Sequence, residues 1–158
     1  MANVLIGYFS KGGHTKSMAN KIAESMKGQG NQTDVKPVTE IEVNSLLDYD
    51  AIILGSPVYY GSMAAEVKSL LDRSVALHGK LEGKVGGAFS SSANIAGGNE
   101  TTVMDIIHGL LIHGMIVQGM HHGDHYGPVS VERVDEKCVQ DCEDYGKHLS
   151  KLLKKLNA

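Results

Sequence analysis

Residues 3–26 decide the fold of this chain, and they read NVLIGYFSKGGHTKSMANKIAESM. The first part, Asn3–Phe9, is a short apolar run, which is typical of a strand buried on both faces. From about His14 onward, apolar residues recur at helical spacing and predict an amphipathic helix. Ser10–Gly13 lies between the two and contains adjacent glycines. The stretch therefore predicts a strand, a tight loop and a helix in direct succession.

The same alternation of strand and helix continues along the chain. Further strands are predicted at Gln32–Val38, Asp50–Gly55, Lys84–Ser90 and Met115–Met120, and further helices at Met63–Leu77, Thr101–His113 and about Asp135–Leu156. Short buried strands that alternate with helices indicate the α/β class, with a five-stranded parallel sheet covered by helices on both faces. A length of 158 residues fits one domain of this kind, spanning residues 1–158.

Composition excludes several classes of protein. The formal net charge is −3, and no basic stripe with interleaved aromatic residues is present, so we expect no nucleic-acid partner. No apolar run approaches the roughly 20 residues that a membrane-spanning helix needs. The N-terminus lacks the pattern of a signal peptide, which favours a cytoplasmic location. Cys138 and Cys142 are spaced for one face of a helix, which favours buried packing over a disulfide.

In parallel α/β sheets, binding sites form at the carboxyl ends of the strands. The loops that follow the predicted strands are Ser10–Thr15, Ser56–Ser62, Ser91–Asn99 and His121–Pro128. These loops are also rich in Gly, Ser, Asn and His. We therefore expect them to build the functional site.

The first of these loops has the composition of a phosphate site. Its residues are Ser10, Lys11, Gly12, Gly13, His14 and Thr15. Glycines allow several backbone N–H groups to converge, the helix N-terminus adds positive charge, and the two hydroxyls can donate hydrogen bonds. The alternative is an ordinary glycine turn capped by Ser and Thr. Neither a Walker loop nor a dinucleotide G-x-G-x-x-G turn occurs, which favours a terminal phosphate over a pyrophosphate.

The run Tyr8–Ile22 resembles the FMN-phosphate signature of the flavodoxin-like family. The second and third loops are similar to the flavin-ring loops of the WrbA-type NAD(P)H:quinone oxidoreductases. The similarity extends from Met1 to about Thr102 and recurs at His113–Met115 and Tyr126–Gly127. The resemblance implies a flavodoxin-like three-layer sandwich with FMN as the cofactor. The ring-binding residues that it implies are Pro57, Val58, Tyr59, Tyr60 and Gly61 in the second loop, and Ser91, Ser92, Ala93, Asn94, Gly97 and Gly98 in the third.

Gly7 departs from the flavodoxin-like phosphate signature, which prefers a larger residue there, but it lies at a strand position and does not bear on the phosphate site. The chain departs from the WrbA type in two ways: it contains no Trp, and it lacks insertions before the third strand and after the fifth. These two departures bear on the substrate pocket and on oligomeric assembly, where a homo-oligomer is one of the alternatives.

The resemblance implies hydride transfer from NAD(P)H through FMN to a quinone or another small-molecule acceptor. The cofactor supplies the redox chemistry, so no catalytic side chain is assigned. The main alternative is a flavodoxin that carries single electrons between redox protein partners, and a flavin-storage module without turnover is a third reading. Weak acidity favours the enzyme, whereas the short length favours the carrier.

Histidines occur in two places that chemistry could use. His121, His122 and His125 accompany Asp124, but consecutive histidines point apart, so we expect no metal site and favour a loop beside the flavin. His113 is either a residue near the cofactor or an imidazole stabilised by a helix C-terminus.

Overall fold

The computed structural model describes residues 1–157, so Ala158, the last residue of the predicted domain, lies outside them. The strands are β1 (Asn3–Tyr8), β2 (Gln32–Pro37), β3 (Ala51–Tyr59), β4 (Ser62–Met63), β5 (Val85–Ser92), β6 (Ile116–Val117) and β7 (Val129–Val131). The helices are α1 (His14–Gly28), α2 (Ala65–Arg73), α3 (Asn99–Ile112) and α4 (Glu136–Leu156). Three 3-10 helices, Val38–Glu40, Val43–Asp48 and Ser74–Leu77, complete the set.

The predicted fold class is confirmed. A parallel sheet runs in the order β2-β1-β3-β5-β6, and β4 is a short antiparallel arm on β3. The chain moves from β1 to one neighbour, β2, and then crosses to the other neighbour, β3. This reversal opens a crevice at the carboxyl ends of β1 and β3, where open α/β sheets bind their ligands.

The fifth position of the sheet differs from the prediction. The prediction of a continuous strand at Met115–Met120 was wrong, because β6 ends at Val117 and residues 118–128 leave the sheet. The strand resumes as β7 on the same edge of β5. In the gap, the backbone N–H of Ala88 donates to the hydroxyl of Tyr145 at 3.1 Å. A side chain from α4 thus replaces the strand partner that the edge of β5 lacks there.

Two apolar clusters fill the space on the two faces of the sheet. One joins α1 and α4 to the sheet, and the other joins α2, α3 and the 3-10 helices to it. All eight residues of β5 are buried, and its glycines give the helices room. A Cβ at Gly86 would lie 3.2 Å from Leu110, and one at Gly87 would lie 2.6 Å from the Tyr145 hydroxyl. Cys138 and Cys142 are buried on α4, as expected.

The helix predicted at Met63–Leu77 is shorter than expected. It begins at Ala65 and gives way to a 3-10 helix after Arg73. The amphipathic pattern does not distinguish the two kinds of helix at this point. Within residues 1–157, none of the helices combines the length and the apolar composition that crossing a membrane would require.

Candidate active site

The turn between β1 and α1 presents backbone donors to solvent. Gly13, at φ +93°, precedes the helix without a side-chain cap, and its N–H donates to Ser10 Oγ at 3.1 Å. The first intrahelical bond in this turn runs from the Ser17 N–H to the Gly13 carbonyl. The N–H groups of residues 14–16 therefore have no acceptor within the helix and lie at the positive end of its dipole.

Thr15 connects this turn to the end of β5. Its side chain is 1% exposed, and its Oγ1 lies 2.8 Å from the Oγ of Ser91. The first and third predicted loops are thus joined by a buried pair of hydroxyls.

The second loop is a hairpin between β3 and β4. Tyr60 (φ +50°) and Gly61 (φ +80°) are both left-handed, which matches the tight two-residue turn that suits a hairpin. Ser56 supports the base of the loop, because its buried Oγ accepts the N–H of Ala64 at 2.8 Å. Tyr59 makes an edge-to-face contact with Phe9, with ring centroids 6.4 Å apart.

The third loop packs against the tip of this hairpin. Gly98 has φ +102° and stands at the start of α3. A Cβ added there would lie 2.7 Å from the Cα of Gly61 and 3.0 Å from Cγ1 of Val58. The hydroxyl of Thr101 donates to the Gly61 carbonyl at 2.7 Å. The second and third loops therefore hold each other in place.

A cleft of about 270 Å³ lies where the three loops converge. Its walls are formed by Ser10, Lys11, Gly12, His14, Thr15, Pro57, Val58, Tyr59, Ser91, Ser92, Ala93 and Glu132. The other predicted residues lie outside these walls: Gly13, Tyr60, Gly61, Asn94, Gly97 and Gly98. Of these, Gly13, Gly61 and Gly98 shape the loops through their left-handed backbone, and Tyr60 is fully exposed.

Glu132 is the wall residue that sequence reasoning missed. It follows β7, has φ +65°, and its N–H donates to the Ser92 carbonyl at 2.7 Å. Only the pairing of β7 with β5 brings it to the cleft, and a single Glu after a short apolar run belongs to no motif.

A second cavity, of about 230 Å³, lies between the start of α3 and the segment 118–128. His125 and Tyr126 line it, and the Nδ1 of His125 lies 2.9 Å from the Met120 carbonyl oxygen. The rings of His121 and His122 are in contact, with centroids 4.5 Å apart. Among residues 1–157, no three His, Cys, Asp or Glu side chains are grouped so that they could hold a metal ion.

His113 lies beside the amino end of β5, whereas the cleft is at the carboxyl end. Its Nε2 is 2.7 Å from Ser74 Oγ, and that hydroxyl donates to the Leu71 carbonyl at 2.6 Å. The imidazole must therefore donate from Nε2, which leaves its buried Nδ1 without a partner among residues 1–157. Burial, and secondarily the neighbouring His78, lower the pKa of His113. The structure thus gives it a neutral structural role rather than a place near the cleft.

Comparison with known proteins agrees with this geometry. The flavodoxin domain family matches residues 5–104 of the chain. An NAD(P)H dehydrogenase (quinone) from Nitrobacter winogradskyi is 40% identical, in an alignment that covers 85% of this chain and 78% of that protein. A protein of the same name from Caulobacter vibrioides is 36% identical over the same shares of the two chains.

A solved structure gives the same result for the fold. The flavodoxin, WrbA-like protein from Agrobacterium tumefaciens superposes with a TM-score of 0.81, covering 98% of this chain and 99% of that one at 23% identity. The family match covers β1 through the first part of α3, the part of the chain that supplies all three loops of the cleft. This chain therefore belongs to the flavodoxin domain family.

Proposed function

We propose that this protein is an FMN-dependent NAD(P)H:quinone oxidoreductase. The observation on which this rests is the 40% identity to an NAD(P)H dehydrogenase (quinone) across most of both chains. The cleft at the end of the sheet supports the same conclusion, because all of its wall residues except Glu132 lie in the three loops that the flavin-binding resemblance singled out.

The first loop fits a phosphate monoester. The free N–H groups at the start of α1, together with the hydroxyls of Ser10 and Thr15, can surround a terminal phosphate without an arginine. The turn has no second glycine-rich segment for a pyrophosphate, which favours FMN over FAD. Lys11, which also lines the cleft, adds a positive charge there.

The second and third loops fit a planar aromatic ring. Val58 and Tyr59 line the cleft from the second loop, and Ser92 and Ala93 line it from the end of β5. When bound, FMN would supply hydride acceptance and release, while the chain positions the ring and its substrates. Backbone N–H groups at the end of β5 would stabilise negative charge on the reduced ring.

The proposal is tested with the purified protein. Acid release followed by mass spectrometry should show FMN rather than FAD, at one per chain. Under anaerobic conditions in a stopped-flow instrument, NADH or NADPH should bleach the absorbance of the oxidised flavin. Subsequent addition of a quinone should restore that absorbance.

The one-electron carrier predicts a different result. A carrier would hold FMN and be reduced by dithionite, but neither nicotinamide would bleach it. That outcome would refute the oxidoreductase and retain the cofactor. Absence of FMN uptake after reconstitution would refute both.

A further inference from the structure

The hydroxyl pair of Thr15 and Ser91 joins two segments that are 76 positions apart in the sequence. The oxygens are 2.8 Å apart, and the two side chains are 1% and 8% exposed. Thr15 lies in the first turn of α1, and Ser91 lies near the end of β5. The pair therefore connects the loop proposed for the phosphate with the loop proposed for the flavin ring.

Counting protons shows that this pair has one hydrogen-bond donor to spare. Each hydroxyl carries a single proton, and one of the two must lie between the oxygens. Among residues 1–157, neither hydroxyl has another protein partner. Because both residues line the cleft, the second proton is available to an acceptor bound there.

The direction of the shared bond depends on which hydroxyl that acceptor meets. Thr15 stands among the free N–H groups of α1, so an anion at this helix end would lie next to the Thr15 hydroxyl. If the Thr15 proton turns to the anion, Ser91 must supply the proton between the two oxygens.

We propose that Ser91 is a positioning residue for the cofactor phosphate. Its hydroxyl donates to Thr15 Oγ1 and so directs the Thr15 proton toward the phosphate, and each bond of such a chain polarises and strengthens the next. This inference rests on the proposed function, because it takes FMN as the ligand. It also implies that the protein distinguishes FMN from riboflavin partly through a residue that never touches the phosphate.

The neighbouring strand provides a matched control. Ser130 in β7 pairs directly with Ser91 across the sheet. It is buried more deeply than Ser91, at 2% exposed against 8%, and its Oγ has no partner among residues 1–157. Replacing it with Ala removes a buried serine hydroxyl beside Ser91 that is not part of the pair.

The test compares the dissociation constants of FMN and riboflavin for the flavin-free full-length protein, measured by quenching of flavin fluorescence. We expect Ser91→Ala to weaken FMN binding about tenfold, because a hydrogen bond to a charged group loses its support. Riboflavin affinity should stay within about twofold, since riboflavin has no phosphate. Ser91→Thr should restore FMN binding, and Ser130→Ala should change neither constant.

A double-mutant cycle with Thr15→Val tests whether Ser91 acts through Thr15. Adding Ser91→Ala to Thr15→Val should cost no further FMN affinity, because the hydroxyl that Ser91 positions is already gone. Ser91→Cys, which is close in shape but donates weakly, carries the same expectation as Ser91→Ala if the alanine variant fails to fold.

Two outcomes would overturn the inference. Equal loss of FMN and riboflavin affinity in Ser91→Ala would mean that Ser91 contacts the ring or the ribityl chain directly, and fully additive losses in the cycle would mean that it acts independently of Thr15. Failure of the wild-type chain to bind FMN is a distinct result, because it would refute the proposed function and remove the ligand on which the inference rests.

Discussion

Gly98 offers the sharpest test of how the second and third loops of the cleft are held together. We expect Gly98→Ala to lower both the free energy of unfolding and the affinity for FMN. The residue adopts φ +102°, a region that a side chain disfavours by about 1–2 kcal/mol. Its new Cβ would also lie 2.7 Å from the Cα of Gly61, a backbone atom that cannot rotate away.

Relief of that contact has its own cost. Forcing extra atoms into a packed site destabilises proteins by about 1–3 kcal/mol, so the two effects together predict a loss of about 2–5 kcal/mol. To relieve the contact, the hairpin tip must move away from the start of α3. That movement would strain the hydrogen bond from the Thr101 hydroxyl to the Gly61 carbonyl. Since both loops line the cleft, FMN affinity should fall together with stability.

Urea titration followed by far-UV circular dichroism measures the first effect, and flavin fluorescence measures the second. Gly28→Ala is the matched control, because a Cβ placed at Gly28 would meet no atom within 4 Å beyond its chain neighbours and its own helix backbone, and its φ is ordinary. That variant should equal the wild-type chain or slightly exceed its stability. If the free energy of unfolding of Gly98→Ala lies within about 0.5 kcal/mol of that of Gly28→Ala, the close approach of the two loops is not a constraint and the reasoning fails.

Three further predictions concern the scaffold. Tyr145→Phe removes the acceptor for the Ala88 N–H at 3.1 Å in a fully buried position, and urea titration should show a loss of about 1–3 kcal/mol. The pKa of His113 is lowered from 6.5 in the folded protein, chiefly by burial. The unfolded chain therefore binds this proton at a higher pH than the folded chain does. Stability falls as the pH drops below 6.5 and through the lower pKa of the folded state. His113→Gln keeps a donor for Ser74 and should lose less of its thermal stability on acidification. Asp135→Ala removes the side chain that accepts the Cys138 N–H at the start of α4, which should cost about 0.5–2 kcal/mol in urea.

Each of these has a control in the chain. Tyr49→Phe removes a hydroxyl that donates to Asp34 at 2.7 Å in a part-buried position, and water can replace that bond more easily, so it should cost less than Tyr145→Phe. His108→Gln replaces an exposed histidine of α3 and should leave the acid sensitivity unchanged. Asp135→Asn keeps a capping oxygen and should retain most of the stability. The tyrosine argument fails if both tyrosine variants lose the same free energy of unfolding. The histidine argument fails if thermal stability depends on pH identically in the two histidine variants. The capping argument fails if Asp135→Ala leaves the free energy of unfolding unchanged.

The sequence was sufficient wherever the determining interactions are local. The apolar run of β1, the glycine turn and the amphipathic start of α1 are contiguous, so residues 3–26 predict their own structure and the exposed donors at the helix end. The later loops were found because parallel strands bring their carboxyl ends to one edge. Apolar stripes also predicted the buried face of α4, including both cysteines.

The tertiary structure decided what depends on residues far apart in the chain. The split of the fifth strand into β6 and β7 follows from the path of residues 118–128 and from the hydroxyl that α4 extends to Ala88. Glu132 reaches the cleft only because β7 pairs with β5. The bond between Thr15 and Ser91 exists because β5 ends beside the first turn of α1, and no local pattern encodes which two hydroxyls the folded sheet will bring within 2.8 Å.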